Sequence, residues 1–384
     1  MRVVIVGAGL GGLCLAQGLG RGGVECEVFE RDSGVGSRTQ GYRIRIDAQG
    51  QRSLAACLPG ELVTLFRETA AVARSGGRFV DTGLNEITGR AVETWQPSVQ
   101  SEAEDDQDGD LSVNRQTLRE ILMSGIEGRI RFGKELIHVE EGLDRVTARF
   151  RDGTTVAGDV LVAADGVHSA VRRQLCPAAD PTDTGMVCVY GRTGLDSRAM
   201  IDDSVLDGTS VVFADGFATI VDAMTFRPDA FTGQPITPVA DYLYWACFGP
   251  RALFGLDAGA DPHGDLPTTL AQLTADWHPG LRAVLTTSDP NAVAALPIRS
   301  AAVLPDWPGR RITALGDAVH AMSPAGGLGA NTALRDAATL AELLCGDLTS
   351  VDALADYERH MRVYAEEAVT ASERGAARLT GAMT

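Results

Sequence analysis

The stretch VVIVGAGLGGLCLAQGLGRGGVECEVFE, Val3 to Glu30, decides the fold. Its β-branched start predicts a buried strand, its middle has the apolar spacing of a helix, and its end predicts a second strand. Between the first strand and the helix lies a Gly-x-Gly-x-x-Gly pattern. In a βαβ unit, Gly7 would permit the tight turn, Gly9 the approach of a pyrophosphate, and Gly12 the packing of helix on strand. The helix N-terminus would then face the phosphates.

Glu30 ends the second predicted strand, 18 residues after Gly12. An acidic side chain at this place can accept hydrogen bonds from both ribose hydroxyls. An ordinary glycine-rich βαβ turn would show part of the same pattern. The strand on each side, the helix between them and the terminal acid together favour a dinucleotide site, with NAD and FAD both admissible.

Composition excludes several partners. The 384 residues carry a net charge of −17, which argues against binding nucleic acid or an anionic membrane surface. No apolar stretch approaches the roughly 20 residues of a membrane span. The seven cysteines are scattered without a C-x-x-C pair, which favours buried free thiols and a reducing cytoplasm. We therefore expect a cytoplasmic protein; its oligomeric state is not encoded in these features.

Two further segments end predicted strands with an aspartate. LVAADGVHSAVR, residues 161–172, leads from a strand through Asp165 into a short helix. GDAVHAMSPAGGLGAN, residues 316–331, places Asp317 at a strand end and several glycines at the start of a long helix. A carboxylate there can bond a polyol hydroxyl, and the helix start can approach a flat ring or an anion. Each segment alone could be a structural turn, but chance does not explain all three motifs in this order.

The chain therefore resembles the single-component FAD-dependent aromatic hydroxylases, a group related to para-hydroxybenzoate hydroxylase and similar to the tetracycline-inactivating monooxygenases. GAGLGG with Glu30, ADGVHSAVR and GDAVHAMSPAGGLGANTALRDA carry the resemblance, which extends over nearly the whole chain. It implies an α/β fold (α+β overall) with a Rossmann-like FAD-binding domain and an inserted, antiparallel sheet-rich substrate domain. The FAD-binding parts would be residues 1–76, 102–183 and 291–384, and the substrate parts residues 77–101 and 184–290.

The resemblance also implies a cofactor site. Its members would be Gly7, Gly9, Leu10, Gly11, Gly12, Glu30, Arg31, Arg38, Arg45, Arg115, Leu136, Asp165, Gly316, Asp317, Pro324, Gly327, Leu328, Gly329, Ala330 and Asn331.

Roles follow the family motifs. The first glycines and Glu30 would hold the ADP half of FAD, the Leu136 strand would meet adenine, and Asp317 would bond the ribityl chain. Arg115 matches a helix arginine that contacts the flavin, and Asp165 belongs to a motif associated with both FAD and the nicotinamide coenzyme. Residues 327–331 would lie along the pyrimidine side of the isoalloxazine. Arg38 and Arg45 fall near the flavin-loop arginines.

The activity implied is a monooxygenase that consumes O2 and NADH or NADPH and hydroxylates an aromatic or polycyclic small molecule through a flavin C4a-hydroperoxide. No second Gly-x-Gly-x-x-Gly follows residue 100, so the coenzyme would be a transient co-substrate. A flavin oxidase or dehydrogenase, and a non-catalytic FAD protein that sequesters a ligand, are the alternatives. The mechanism requires no acid–base pair, so no catalytic residue and no metal ligand are assigned.

Four residues leave their roles open. His320 follows Asp317 by three residues, and a structural role is favoured over catalysis. Tyr42, Arg43 and Arg45 either face a substrate cavity or belong to a simple alternating strand with solvated arginines. Aromatic residues of the inserted part are expected to be mostly core.

Overall fold

The computed structural model describes residues 1–36, 41–72, 77–88, 109–256, 265–301, 304–305, 307 and 310–379. Its strands are β1 (Arg2–Val6), β2 (Glu25–Phe29), β3 (Arg43–Ile46), β4 (Gly77–Asp81), β5 (Leu111–Asn114), β6 (Ile130–Arg131), β7 (Leu136–Glu141), β8 (Val146–Phe150), β9 (Thr155–Gly158), β10 (Val160–Ala163), β11 (Thr182–Gly194), β12 (Thr209–Ala214), β13 (Phe217–Met224), β14 (Tyr242–Pro250), β15 (Ala294–Ser300) and β16 (Ile312–Ala314). Its α-helices are α1 (Leu10–Arg21), α2 (Ala48–Cys57), α3 (Gly60–Glu68), α4 (Arg115–Met123), α5 (Ala170–Leu175), α6 (Leu266–Leu273), α7 (Pro279–Thr286), α8 (Asp317–His320), α9 (Gly329–Cys345) and α10 (Ser350–Leu379).

A parallel five-stranded sheet carries the glycine-rich turn. Its order is β16-β10-β1-β2-β6. Val6 pairs with Phe29 on one side and with Ala163 on the other, and Ala163 pairs with Ala314. The inner strands are almost wholly aliphatic because both faces of the sheet are covered. The carboxyl ends of β1, β2, β10 and β16 therefore meet at one edge, where open α/β sheets bind ligands.

A six-stranded sheet forms the second large layer. Its order is β15-β11-β14-β13-β12-β4, antiparallel except for the parallel pair β12 and β4. Alternation along β14 gives the sheet two different faces. Trp245 and Cys247 pack in one core with residues of α6 and α7, whereas Tyr244 and Phe248 belong to the opposite cluster. That second cluster includes Ala325, which lies in the segment between α8 and α9. This face of the six-stranded sheet therefore packs against the part of the chain that follows β16.

The short antiparallel pair β3 and β5 joins the two layers. The Tyr242 hydroxyl on β14 donates to the Tyr42 carbonyl oxygen before β3, at 2.8 Å. The Asn114 side chain at the end of β5 donates to the same hydroxyl at 3.1 Å. A buried hydrogen-bonded network of this kind fixes the position of one sheet against the other, because each member would be left unsatisfied if the sheets separated.

The predicted fold is confirmed: a Rossmann-like βαβ unit lies beside an antiparallel, sheet-rich part. The parallel pairing of β4 with β12 makes the second sheet mixed, which the sequence reasoning did not anticipate. The division into 1–76, 77–101, 102–183, 184–290 and 291–384 stays a prediction, and residues 89–101 lie outside the described part. The seven cysteines form no disulfide with one another, and five of them are buried. Within the described ranges, no helix has the length and apolar character that a membrane span requires.

A partly buried carboxyl on α10 leads us to expect that the stability of the fold depends on pH. Burial raises the pKa of Glu358 on α10 from 4.5 to about 7. A raised carboxyl pKa favours folding below about pH 4.5, and this contribution is lost as the pH rises toward 7. We expect Glu358→Gln to raise the Tm more at about pH 8 than at about pH 5, measured by thermal unfolding. The exposed Glu366→Gln on the same helix is the control, and an equal shift of Tm at both pH values would contradict this account.

Candidate active site

Three glycines shape the turn after β1, each in different surroundings. Gly7 has a φ of +111°, and a Cβ built on it would lie 2.2 Å from the Ala164 carbonyl oxygen. A Cβ on Gly12 would lie 2.2 Å from the carbonyl oxygen of Gly7. At Gly9, a Cβ would meet no atom of the described residues within 4 Å. Gly7 and Gly12 are therefore required by the fold itself, whereas Gly9 borders space in which a ligand can approach the backbone.

Glu30 holds this turn from the end of β2. Its side chain is buried, and its carboxylate accepts hydrogen bonds from the Ala8 amide at 2.7 Å and the Asp32 amide at 2.9 Å. Hydrogen bonds to a charged acceptor are strong, so they fix the turn relative to β2. The two oxygens retain further lone pairs, and the contact with ribose hydroxyls expected from the sequence stays a prediction.

Arg119 holds the turn from the other side, and sequence reasoning missed it. This buried arginine on α4 donates from Nε to the Ala8 carbonyl oxygen at 3.0 Å and from Nη1 to the Val35 carbonyl oxygen at 2.8 Å. The available signal was an arginine beside Leu118 and Ile121, on the buried side of a predicted amphipathic helix. Ala8 is thus held between a carboxylate and a guanidinium.

Two cavities meet at the turn. The first, which we call the β-edge cavity, is lined by these predicted residues: Gly7, Gly9, Glu30, Arg31, Arg115, Leu136 and Asp165. The second, which we call the inter-sheet cavity, has a volume of about 320 Å³. It is lined by these predicted residues: Gly9, Leu10, Gly11, Gly12, Arg45, Arg115, Gly316, Asp317, Pro324, Gly327, Gly329 and Ala330. Because Gly9, Arg115, Ala164 and Gly166 border both, the cavities form one groove from Glu30 to the six-stranded sheet.

Two described residues of the predicted site do not border either cavity. Leu328 and Asn331 are absent from the lining of both cavities, and Arg38 lies outside the described residues. The Asn331 side chain donates to the carbonyl oxygens of Arg45 and Gly327 at 3.0 and 2.9 Å, and accepts from the Asp47 amide at 3.1 Å. Its side chain therefore ties the start of α9 to β3, which leaves only its backbone for a ligand.

Asp165 presents an unsatisfied oxygen beside the groove. Its Oδ2 accepts from the Ala170 amide at 2.7 Å, whereas its buried Oδ1 has no hydrogen-bond partner among the described residues. Burial raises the pKa of this carboxyl. A buried polar atom without a partner is costly, and a ligand with a hydroxyl or amide donor would satisfy it.

Asp317 lies at the start of α8, where the inter-sheet cavity meets the carboxyl end of β16. Its side chain is exposed to the cavity. On its other sides the carboxyl is surrounded by protein, which limits its hydration and raises its pKa. Gly316 before it has a φ of +61° and a ψ of −147°, which few residues other than glycine adopt. This backbone sends the carboxylate into the groove, where it can accept a polyol hydroxyl.

His320 lies beneath Asp317 and does not border the groove. It is fully buried, and its Nε2 is 2.6 Å from Asp336 Oδ2. Asp336 also accepts from the Gly316 amide at 2.8 Å and from the Tyr364 hydroxyl at 2.8 Å. Burial opposes a charged imidazole, but the Asp336 carboxylate outweighs it and raises the pKa of His320. The pair supports the β16–α8 turn, which agrees with the structural role favoured from the sequence.

The start of α9 faces the far end of the groove. Pro324, Gly327, Gly329 and Ala330 line the cavity there, and Gly327 has a left-handed φ of +64°. The unpaired amides at the start of this 17-residue helix carry partial positive charge. The opposite wall is aromatic and apolar, with side chains from the six-stranded sheet and its edge: Ile220, Tyr244, Phe248 and Leu296.

Arg45 is held by a carboxylate at the mouth of this cavity. Its Nη2 lies 2.5 Å from Asp110 Oδ2 and its Nε donates to the same oxygen at 2.6 Å. Both Arg45 and Arg43 border the cavity, so of the two hypotheses for this strand, the one with solvated arginines is disfavoured.

Alanine substitutions at Gly9 and Gly12 test whether the first borders the cofactor and the second is required by the fold. Gly9→Ala should leave the Tm of the cofactor-free protein nearly unchanged, because the added methyl meets no described atom, but should weaken FAD binding by obstructing the approach of the phosphates. Gly12→Ala should lower the Tm strongly, because its methyl collides with the Gly7 carbonyl oxygen. FAD titration monitored by flavin fluorescence, together with thermal unfolding, measures both effects. If Gly9→Ala bound FAD as the unmodified protein does, the phosphates would not pass this turn.

Comparison with known proteins identifies the family to which this chain belongs. The profile described as FAD binding domain matches residues 1–190 and 251–372. The dual O-methyltransferase/FAD-dependent monooxygenase CTB3 of Cercospora beticola is 35% identical over 99% of this chain and 46% of its own length. The chain thus spans less than half of that relative.

Other relatives match over most or all of their length. The FAD-dependent monooxygenase adaC of Aspergillus niger is 30% identical over 97% of this chain and 92% of its own. A solved structure from Photorhabdus luminescens, described as an FAD containing monooxygenase, superimposes with a TM-score of 0.83 at 29% identity and covers 100% of both chains. These findings confirm the resemblance drawn from the three motifs: the chain belongs to the FAD binding domain family.

Proposed function

We propose that this protein is an FAD-dependent monooxygenase that uses NADH or NADPH and O2 to oxygenate an aromatic or polycyclic small molecule. The observation that carries the proposal is the continuous groove, which begins at Glu30 and ends between α9 and the aromatic wall of the six-stranded sheet. A cofactor laid along it would have its reactive ring beside a separate, largely apolar space. That arrangement suits oxygenation of a second molecule.

The groove fits FAD by the chemistry of its side chains. Carboxylates stand where the two polyol parts of FAD would lie, with Glu30 toward the ribose and Asp317 toward the ribityl chain. Between them, Gly9 and the start of α1 offer backbone amides and an unobstructed approach for the pyrophosphate. The Asp165 Oδ1 that lacks a partner among the described residues lies on the same path.

The protein has three tasks at the ring end. Bound FAD, once reduced, supplies the electrons that activate O2. The start of α9 would stabilise negative charge on the ring edge, because its amides and dipole point there. Phe248, Ile220 and Leu296 would exclude water, which protects a reactive oxygen species from unproductive decay. None of these tasks requires a proton-transfer residue.

The substrate class rests on the wall of the inter-sheet cavity. Tyr244 and Phe248 offer flat surfaces for a ring, and the aliphatic side chains of Ile220 and Leu296 extend the apolar part of this wall. NADH and NADPH remain alternatives, and the coenzyme would dock transiently. A cytoplasmic location remains part of the proposal, and the number of subunits is not assigned.

The oxygenase reading is tested by the origin of the oxygen in the product. With FAD-loaded protein, NADH or NADPH and a panel of hydroxylated aromatics, we expect coenzyme oxidation that substrate stimulates, and one 18O atom in the product from labelled O2, detected by mass spectrometry. Substrate oxidation without the label would favour the dehydrogenase or oxidase. FAD binding without any turnover would favour the ligand-sequestering alternative.

The water-excluding wall gives a second prediction. Phe248→Leu should increase the share of coenzyme oxidation that yields H2O2 rather than product, because a smaller side chain admits water to the ring end. Phe213→Leu alters the same cluster without bordering the cavity, and should leave that share unchanged. Peroxide release and product formation are measured in the same reaction. Equal coupling in both variants would show that this wall does not protect the reaction.

A further inference from the structure

Arg43, which lines the inter-sheet cavity, is bound by other described residues only through its Nε atom. The Arg43 side chain on β3 is 9% exposed, and its Nε lies 2.5 Å from Asp222 Oδ2 and 3.1 Å from Ser112 Oγ. Its two terminal amino groups have no hydrogen-bond partner among the described residues, although the side chain borders the cavity. The buried part of the guanidinium is thus neutralised by Asp222, whereas its paired amino end faces the cavity, where an acidic ligand would supply the hydrogen bonds that the described residues do not.

Asp222 fixes the direction in which the two terminal amino groups of Arg43 point. Its side chain is buried on β13, where Oδ1 accepts from Thr209 Oγ1 at 3.0 Å and Oδ2 accepts from Ser112 Oγ at 3.2 Å. The carboxylate is therefore held on both oxygens before it meets Arg43. Because the guanidinium is planar, an anchored Nε also sets the plane in which the two amino groups point.

Tyr244 lies next to this pair. Tyr244 on β14 pairs in register with Asp222 on β13, and its ring borders the inter-sheet cavity. Its hydroxyl makes no hydrogen bond to another described residue. Burial raises the pKa of this phenol, with Arg43 acting in the opposite direction, so the hydroxyl is a donor at neutral pH. The surrounding wall is apolar, and the neighbouring Arg45 is engaged by Asp110.

We propose that Arg43, positioned by Asp222 and assisted by the Tyr244 hydroxyl, determines substrate specificity by binding an acidic oxygen group on the aromatic substrate. A carboxylate matches the paired amino groups bidentately, and an ionised ring hydroxyl matches them singly. The substrate class is then an anionic aromatic rather than a neutral hydrocarbon ring. The inference rests on the proposed function, since it takes the inter-sheet cavity as the substrate site.

The test compares two probes of the same shape, 1-hydroxy-2-naphthoate and 1-hydroxy-2-naphthamide. Each is titrated into oxidised, FAD-loaded protein without coenzyme, and binding is followed by the change in flavin absorbance. We expect the unmodified protein to bind the carboxylate roughly tenfold or more tightly than the amide, as expected for hydrogen bonds to a charged group. Arg43→Gln should abolish that preference while FAD content stays the same.

Two further variants separate binding from folding. The double variant Arg43→Gln with Asp222→Asn removes both charges together, so no buried carboxylate is left without its partner, and it should also lack the preference. Arg192→Gln removes an exposed arginine from the strand next to Tyr244 and should retain it.

Several outcomes would overturn the inference. One is that the unmodified protein binds both probes equally or binds neither. Another is that the Arg43 variants still prefer the carboxylate. A third is that those variants lose FAD, which would assign the arginine to the cofactor. Because no turnover is involved, these results are distinct from the labelled-oxygen test of the monooxygenase proposal.

Discussion

The structure depends on the close approach of two parallel strand ends, β1 and β10, at Gly7. The Gly7 backbone lies so near the Ala164 carbonyl that a Cβ of any other residue would be only 2.2 Å from its oxygen. Gly12 then brings α1 onto the same turn. This close packing leaves only backbone at the turn itself, so the groove can pass over the turn between the side chains at the neighbouring strand ends.

Buried polar pairs keep the groove open rather than letting it collapse. Glu30 and Arg119 hold Ala8 from opposite sides, and Asp336 supports the β16–α8 turn through Gly316 and His320. Each contact links elements that are separated along the chain, so contacts within the protein fix the shape of this edge. Such preorganisation lowers the entropy lost when a long, flexible dinucleotide binds.

The sequence predicted the parts of the site that are local. The glycine turn, Glu30, Asp165 and Asp317 all follow strand ends within short motifs, and in parallel strands those ends must share an edge. Arg119, Asp222 and Asp336 were missed because their partners lie far along the chain, and no spacing rule links them. The resemblance implies that Asn331 lies along the pyrimidine side of the flavin; its side chain bonds β3 and the backbone before α9, and the placement of its backbone beside the flavin stays a prediction. The parallel pairing of β4 with β12 could not be predicted for the same reason, since the paired residues are 132 positions apart and leave no local pattern.

A crystal structure of the protein with bound FAD tests the central claim most directly, because the account fixes the course of the cofactor along the groove. It predicts adenine beside Leu136, the ribose at Glu30, the pyrophosphate over Gly9, and the isoalloxazine ring between Gly327 and the wall formed by Tyr244 and Phe248. FAD in the reverse direction, or with its ring outside the inter-sheet cavity, would contradict it.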